Sequence, residues 1–208
     1  MSAVEDLAEG ILITDRDALI AVDIQYDFLE GGSLGVHEGH HTVSVVNSIL
    51  PLFDHVVFTR DWHPPDHRSF AQEPQYHDGS WPPHAVRDTP GAKFHKDLRI
   101  PEHALIVSKA TLPHREEYSG FQATGVDLTG WLRERSVTRL FLAGIATDYC
   151  VHYTALDGVN AGFQVFVVED AVRGVSPETV AQTWEDLADA GVIRVPSGIL
   201  RRKPGARG

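Results

Sequence analysis

Short, almost continuously apolar runs recur along the chain: ALIAVD (Ala18–Asp23), HVVFTR (His55–Arg60), ALIVSK (Ala104–Lys109), RLFLAG (Arg139–Gly144) and QVFVVED (Gln164–Asp170), with GVIRV (Gly191–Val195) as a sixth. Runs of this length without polar alternation suit strands covered on both faces, as in a parallel sheet. Between them the period changes. Val43, Val46, Ile49 and Leu50 make a helical stripe in HTVSVVNSILPLF, and VDLTGWLRER leads into the fourth run. SPETVAQTWEDLADAG offers Ser176 as N-cap, Pro177 at the first helical position, early acids and Gly191 as a stop. Strand and helix in alternation predict a doubly wound α/β fold: a mostly parallel six-stranded sheet with helices on both faces, three-layered and Rossmann-like. Residues 1–17 show no clear period, and the end RRKPGARG is basic with Gly and Pro. The reading is therefore an N-terminal extension (1–17), one domain (18–200) and a basic disordered tail (201–208).

One stretch breaks the alternation. Asp61 to Arg99 is a long connection rich in Pro, Gly and His, and loops of that length inside a compact domain tend to be functional. Ligands of open α/β sheets sit beyond the carboxyl ends of the strands. Those ends carry Asp23, Arg60–Asp61, Lys109 and the turn GIATDYC at Gly144–Cys150.

Composition narrows the class. With 42% hydrophobic and 23% charged residues the chain reads as an ordinary soluble globule, not a disordered one. A single cysteine excludes an intramolecular disulfide, so nothing points to an oxidising compartment. The start MSAVEDLAEG is acidic and lacks a signal peptide's pattern, and no apolar run reaches membrane-spanning length. A formal net charge of −11 argues against a nucleic-acid partner. The expected setting is cytoplasmic, without membrane or nucleic-acid partners.

Most lone cysteines are small buried hydrophobes; Cys150 differs in its place, where a strand turns into a helix. If Thr147 caps a helix starting at Asp148, the thiol lies in the first turn, where free N–H groups and the helix dipole favour a thiolate. His152, two residues on, faces almost the opposite way and makes a poor partner. Asp23, closing the first strand, can take a proton, and Lys109, closing the third, can lower both pKa values. Singly, Asp23 reads as well as a turn cap and Lys109 as a solvated strand end; their convergence with Cys150 carries the catalytic reading. Asp61 and His63 are two apart, so an extended segment points both the same way. His67 follows PPD and His84 follows SWPP. One Asp and three His suit a divalent metal ion (zinc, iron or manganese) with positions left for water, and one cysteine excludes a Cys-rich structural zinc site. His40, His41, His77 and His95 read as exposed loop histidines.

VDIQYDF (Val22–Phe28), TRDWHPPDH (Thr59–His67), WPPH (Trp81–His84), SK (Ser108–Lys109), YSGF (Tyr118–Phe121) and GIATDYC stand in the order and spacing of the nicotinamidases. By these motifs the chain resembles the isochorismatase-like cysteine hydrolases from about Ala18 to Pro196. The resemblance implies an Asp23–Lys109–Cys150 triad, and a metal held by Asp61, His63, His84 and His67. It also implies a non-proline cis peptide between Ile145 and Ala146, with the N–H groups of Ala146 and Cys150 as oxyanion donors. The implied reaction is hydrolysis of nicotinamide, the small-molecule partner, to nicotinate and ammonia through a cysteine thioester in NAD salvage, with pyrazinamide as a second substrate. Phe28, Trp81, Tyr118 and Ile145 would line the slot for the ring; a homo-oligomer stays open. Ala85 stands where many relatives have a second cysteine, Ala110 where they often have Gly, and TLPHREE (Thr111–Glu117) is longer than in some. Two alternatives remain: a related hydrolase acting on another small amide or on isochorismate, and a non-catalytic metal- or partner-binding scaffold.

Overall fold

The computed structural model describes residues 10–202. The six apolar runs become β2 (Asp17–Val22), β3 (His55–Asp61), β4 (Leu105–Lys109), β5 (Arg139–Ile145), β6 (Gln164–Arg173) and β7 (Ile193–Val195). They form one sheet in the order β4-β3-β2-β5-β6-β7, every neighbouring pair parallel. All six residues of β2 are buried, which is why its sequence does not alternate: both faces of a central strand are covered. Leu19, Ala21, Phe141 and Phe166 point to one core layer, and Ala18, Ile20, Leu140 and Leu142 to the other.

Helix α1 (His41–Ile49) packs Val43, Val46 and Ile49 into the first layer. α2 (Leu128–Glu134), α3 (His152–Asn160) and α4 (Pro177–Asp189) cover the second through Leu128, Leu132, Ala155 and Leu187. Ser176 caps α4 by accepting from the Thr179 amide at 3.2 Å, as its sequence predicts. α1 stops at Ile49 instead of running to Phe53, because Pro51 cannot extend the ladder and Leu50–Leu52 tightens to a 3₁₀ turn. The chain leaves β2 toward β3 on one side, and β5 lies on the other. The strand order therefore reverses between β2 and β5, and the crevice opens at their carboxyl ends, at Asp23 and Ile145.

The ends are more ordered than their sequence suggests. β1 (Ile11–Ile13) pairs in parallel with β8 (Leu200–Arg202), Ile11 opposite Leu200 and Ile13 opposite Arg202. Ile11 and Ile13 are buried and Leu12 is exposed, an alternation too short to register as a period. So the extension and the tail both contribute strand residues; residues 1–9 and 203–208 lie outside the described part. Asp17 fastens this edge to the sheet. Its buried carboxylate accepts from the Thr14 amide at 2.7 Å and from Arg139 Nε and Nη2 at 2.5 and 2.6 Å, while Arg139 Nη2 also reaches the Leu12 carbonyl at 2.7 Å. Asp17→Ala removes the carboxylate that holds the Arg139 guanidinium and the Thr14 amide and is expected to cost roughly 3 kcal/mol in urea unfolding. A loss under about 1 kcal/mol would leave the pair no stabilising role. Among the described residues, no helix is long and apolar enough to cross a membrane.

Candidate active site

Three strand ends deliver Asp23, Lys109 and Cys150 to one point. Asp23 directly follows β2 with φ +48°, its side chain fixed by Thr59 Oγ1, which donates to Oδ1 at 2.6 Å. Lys109 ends β4 opposite Asp61 of β3. Its Nζ lies 2.8 Å from Asp23 Oδ2 and 3.4 Å from Cys150 Sγ, and also pairs with Asp61 Oδ1. Asp23 and Lys109 are fully buried, so one ammonium is shared by two carboxylates and a thiol with little solvent screening.

The charges follow from that arrangement. Burial pulls the Lys109 pKa down, but Asp23 and Asp61 outweigh it and hold the group well above its ordinary value, as a cation. Burial raises the Asp23 carboxyl, and Lys109 offsets only part of that, which makes Asp23 the more basic of the two acids. Burial likewise raises Asp61, yet Lys109, then His63 and His84, bring it below the usual range. Burial pushes the Cys150 thiol well up; Lys109 opposes this, while Asp23 and Asp61 add to it. A resting thiolate favoured by the turn is thus not what the structure supports. Burial and the two carboxylates favour the thiol over the thiolate, and an Asp23 oxygen lies within 4.8 Å of the sulfur.

The turn bearing Cys150 departs from the sequence expectation in form. Gly144 has φ +117°, and a Cβ there would fall 2.0 Å from the Val22 carbonyl oxygen, so β5 can come this close to β2 only without a side chain. The Ile145–Ala146 peptide is cis. Thr147–Val151 then forms a single π-helical turn, and α3 begins only at His152. Thr147 is not the cap: Ala146 holds that place in extended conformation, and its carbonyl accepts from the Tyr149 and Val151 amides, both at 3.1 Å. Cys150 is buried at the base of the cavity, and His152 turns away toward Asp186, 3.9 Å from its Oδ2.

Beside this triad, Asp61, His63 and His84 place one ligand atom each within 4.8 Å of one another. His63 Nδ1 lies 3.1 Å from the His84 carbonyl and His84 Nδ1 lies 2.8 Å from the Pro82 carbonyl. A carbonyl only accepts, so both Nδ1 atoms carry the proton and both Nε2 atoms keep a lone pair. Burial, then His63, lowers His84 to about 4, so it is neutral near pH 7. His63 Nε2 is buried with no hydrogen-bond partner among the described residues. An orphaned imidazole nitrogen beside a second imidazole and a carboxylate fits a divalent cation with room for water.

His67 stands apart from that trio. Its ring is 4.4 Å from that of His63, but Nδ1 is engaged by Ser69 Oγ at 2.8 Å and Nε2 by the Arg115 carbonyl at 3.0 Å. It falls instead into a second group with His63 and Glu116, whose Oε1 is 3.9 Å from His63 Nε2. Glu116 was not legible in the sequence, where TLPHREE shows no ligand spacing. Phe28, Trp81, Tyr118 and Ile145 line a cavity of about 360 Å³ together with Cys150, Asp61 and His84. Trp81 Nε1 donates to Tyr118 Oη at 3.2 Å, which fixes both rings. Tyr76 and Tyr149, unforeseen, also line this cavity. Its size suits one six-membered ring with a small substituent.

Comparison with known proteins follows the same outline. The isochorismatase domain matches residues 17–196. The nicotinamidase/pyrazinamidase of Mycobacterium tuberculosis is 40% identical over 188 residues, 86% of this chain and 98% of that protein. The nicotinamidase of Escherichia coli is 36% identical over 195 residues, 84% of this chain and 92% of that one. Of solved structures, the pyrazinamidase of Pyrococcus horikoshii in complex with zinc superposes with a TM-score of 0.79 at 43% identity, covering 87% of this chain and 99% of the other. PnC1 from L. infantum in complex with nicotinate gives 0.86 at 34% identity, covering 93% and 100%.

Proposed function

We infer, for a chain that belongs to the isochorismatase family, that the site hydrolyses nicotinamide to nicotinate and ammonia, and pyrazinamide likewise, as a step of NAD salvage in the cytoplasm. One observation carries the reading: the Lys109 ammonium lies 2.8 Å from Asp23 and 3.4 Å from Cys150, beside an aromatic cavity that also holds Asp61 and His84.

In this reading Asp23 takes the proton of Cys150 as sulfur attacks the carboxamide carbon and the C–S bond forms. The N–H groups of Ala146 and Cys150 stabilise the oxyanion. Asp23 returns the proton to nitrogen, the C–N bond breaks, and ammonia leaves a thioester. Water then gives a proton to Asp23 and adds to the thioester. The C–S bond breaks, sulfur regains the proton from Asp23, and the acid departs, giving its carboxyl proton to solvent as nicotinate. Lys109 stays charged throughout, which keeps Asp23 ionised in the protein interior and favours the transient thiolate. Phe28, Trp81 and Tyr118 hold the ring flat. Asp61, His63 and His84 would hold the divalent metal, with His67 and Glu116 against His63. Bound there, the metal supplies a Lewis-acid anchor for the ring nitrogen.

Ammonia release measured with nicotinamide and benzamide tests the reading. Benzamide has the same outline without the ring nitrogen, so its kcat/KM is expected to be at least about tenfold lower, mostly through KM. Equal values would remove the metal from substrate recognition. No ammonia from any small amide would leave a non-catalytic scaffold.

A further inference from the structure

Beyond Asp23, the stretch VDIQYDF also carries Gln25 and Asp27, whose side chains bond to backbone groups of the Asp61–Ala92 connection. Gln25 is fully buried. Its Nε2 donates to the Asp61 carbonyl and to the Ala92 carbonyl, each at 2.8 Å, and its Oε1 accepts from the Asp61 amide at 2.8 Å. The backbone ladder between β2 and β3 ends just before this point: Val22 pairs with Thr59, and the Asp23 amide donates to the Thr59 carbonyl. The Gln25 carboxamide therefore takes the place of a strand edge for Asp61, whose other side is registered on Lys109. Both backbone groups of that residue are held.

Asp27 does the same two residues later. Its Oδ2 accepts from the Ala85 amide at 2.8 Å. Ala85 follows His84 and sits at φ +44°, a conformation that a non-glycine residue keeps only when held. The Ala85 carbonyl in turn accepts from the His63 amide at 3.0 Å, and His63 Nδ1 meets the His84 carbonyl. Gly91 leaves room for the clamp: a Cβ there would lie 2.2 Å from Asp27 Oδ2. So Asp61 is tied to Gln25, His84 to Asp27 through Ala85, and His63 to His84, all from one turn after β2.

We propose that Gln25 and Asp27 are positioning residues that set the spacing of the Asp61–His63–His84 ligand trio, so that one strand exit provides the base and also aligns the metal site. The proposal rests on the metal reading above. It assigns the two side chains no contact with substrate and no part in proton transfer.

Zinc affinity by chelator competition and the rate of Cys150 alkylation, measured on the full chain, separate the possibilities. In Asp27→Ala, zinc affinity is expected to fall about 10- to 100-fold, the usual cost of losing a group that orients a ligand. Alkylation of Cys150 should stay within about twofold of native, because the Thr59–Asp23–Lys109 contacts are untouched. Asp27→Asn keeps an oxygen acceptor for the Ala85 amide and is expected to recover most of the affinity, which a charge effect on the metal would not. Gln25→Ala should lose zinc affinity as Asp27→Ala does; because Asp61 also pairs with Lys109, the two Asp27 variants decide on thiol reactivity, and on everything should Gln25→Ala fail to fold. Native-like zinc affinity in Asp27→Ala overturns the proposal alone. An equal loss of affinity and thiol reactivity overturns it in favour of general disruption. A native protein that takes up no zinc refutes the metal reading and the proposal with it.

Discussion

Cys150→Ala is expected to release ammonia from nicotinamide at least about ten-thousandfold more slowly than the native enzyme, while unfolding at nearly the same urea concentration. The kinetic loss follows from removing the atom that forms the covalent bond; loss of a nucleophile in hydrolases of this logic leaves only what binding and oxyanion donors provide. The structural cost is small, because one sulfur atom leaves little cavity beside the substrate pocket, and about 1 kcal/mol is the scale for such a deletion. The chain's single cysteine makes a second reading possible on the native protein. One equivalent of an alkylating agent should abolish turnover in proportion to the mass shift. A Cys150→Ala enzyme keeping a tenth of native activity would rule out the thioester route.

Lys109→Ala is expected to damage both function and stability. Asp23 and Asp61 would then face each other in the protein interior without the ammonium they share. Removing one member of a buried ionic cluster costs on the order of 3–5 kcal/mol, since the charges left behind lie outside water. Turnover should fall about a thousandfold or more, because Asp23 would be neutral much of the time and the thiolate would lose the ammonium 3.4 Å away. The double variant Asp23→Asn/Lys109→Ala should recover roughly 2 kcal/mol of stability without recovering activity, the non-additivity expected of groups in contact. Urea unfolding in the presence of chelator measures it. Strict additivity of the two substitutions would mean that Lys109 is not balancing Asp23.

The layers of this fold were legible because each strand of the main sheet is a continuous apolar run, and α1 shows a stripe while α2 and α4 carry side-chain caps. Asp23 and Lys109 were legible for a related reason: they close such runs, and Cys150 lies in the turn that follows another, where open α/β sheets put their chemistry. What escaped was short or non-local. Ile11–Ile13 is three residues long, below any window that detects a period. Thr147 carries the side chain of an N-cap, and nothing in TDYCV foretells that the Ala146 carbonyl will take that role in a π-helical turn. His67 has a ligand's residue type, but spacing across two prolines does not encode which groups its nitrogens meet. Gln25, Asp27 and Glu116 act on residues 36 to 67 positions away, and that pairing has no local signature.

The pairing of β1 with β8 also decides how the molecule answers a pull. The two strands run parallel, so tension applied between Gly10 and Arg202 drags them in opposite directions along their length. Their hydrogen bonds are then strained together, in shear, and must break nearly at once. A hairpin pulled open from its ends yields them one at a time. Asp17 and Arg139 stand behind this pair and bind its inner edge to the main sheet. Mechanical resistance is thus concentrated at a small two-stranded clasp, remote from the crevice, and force on the chain ends meets that clasp before it reaches Asp23 or Cys150.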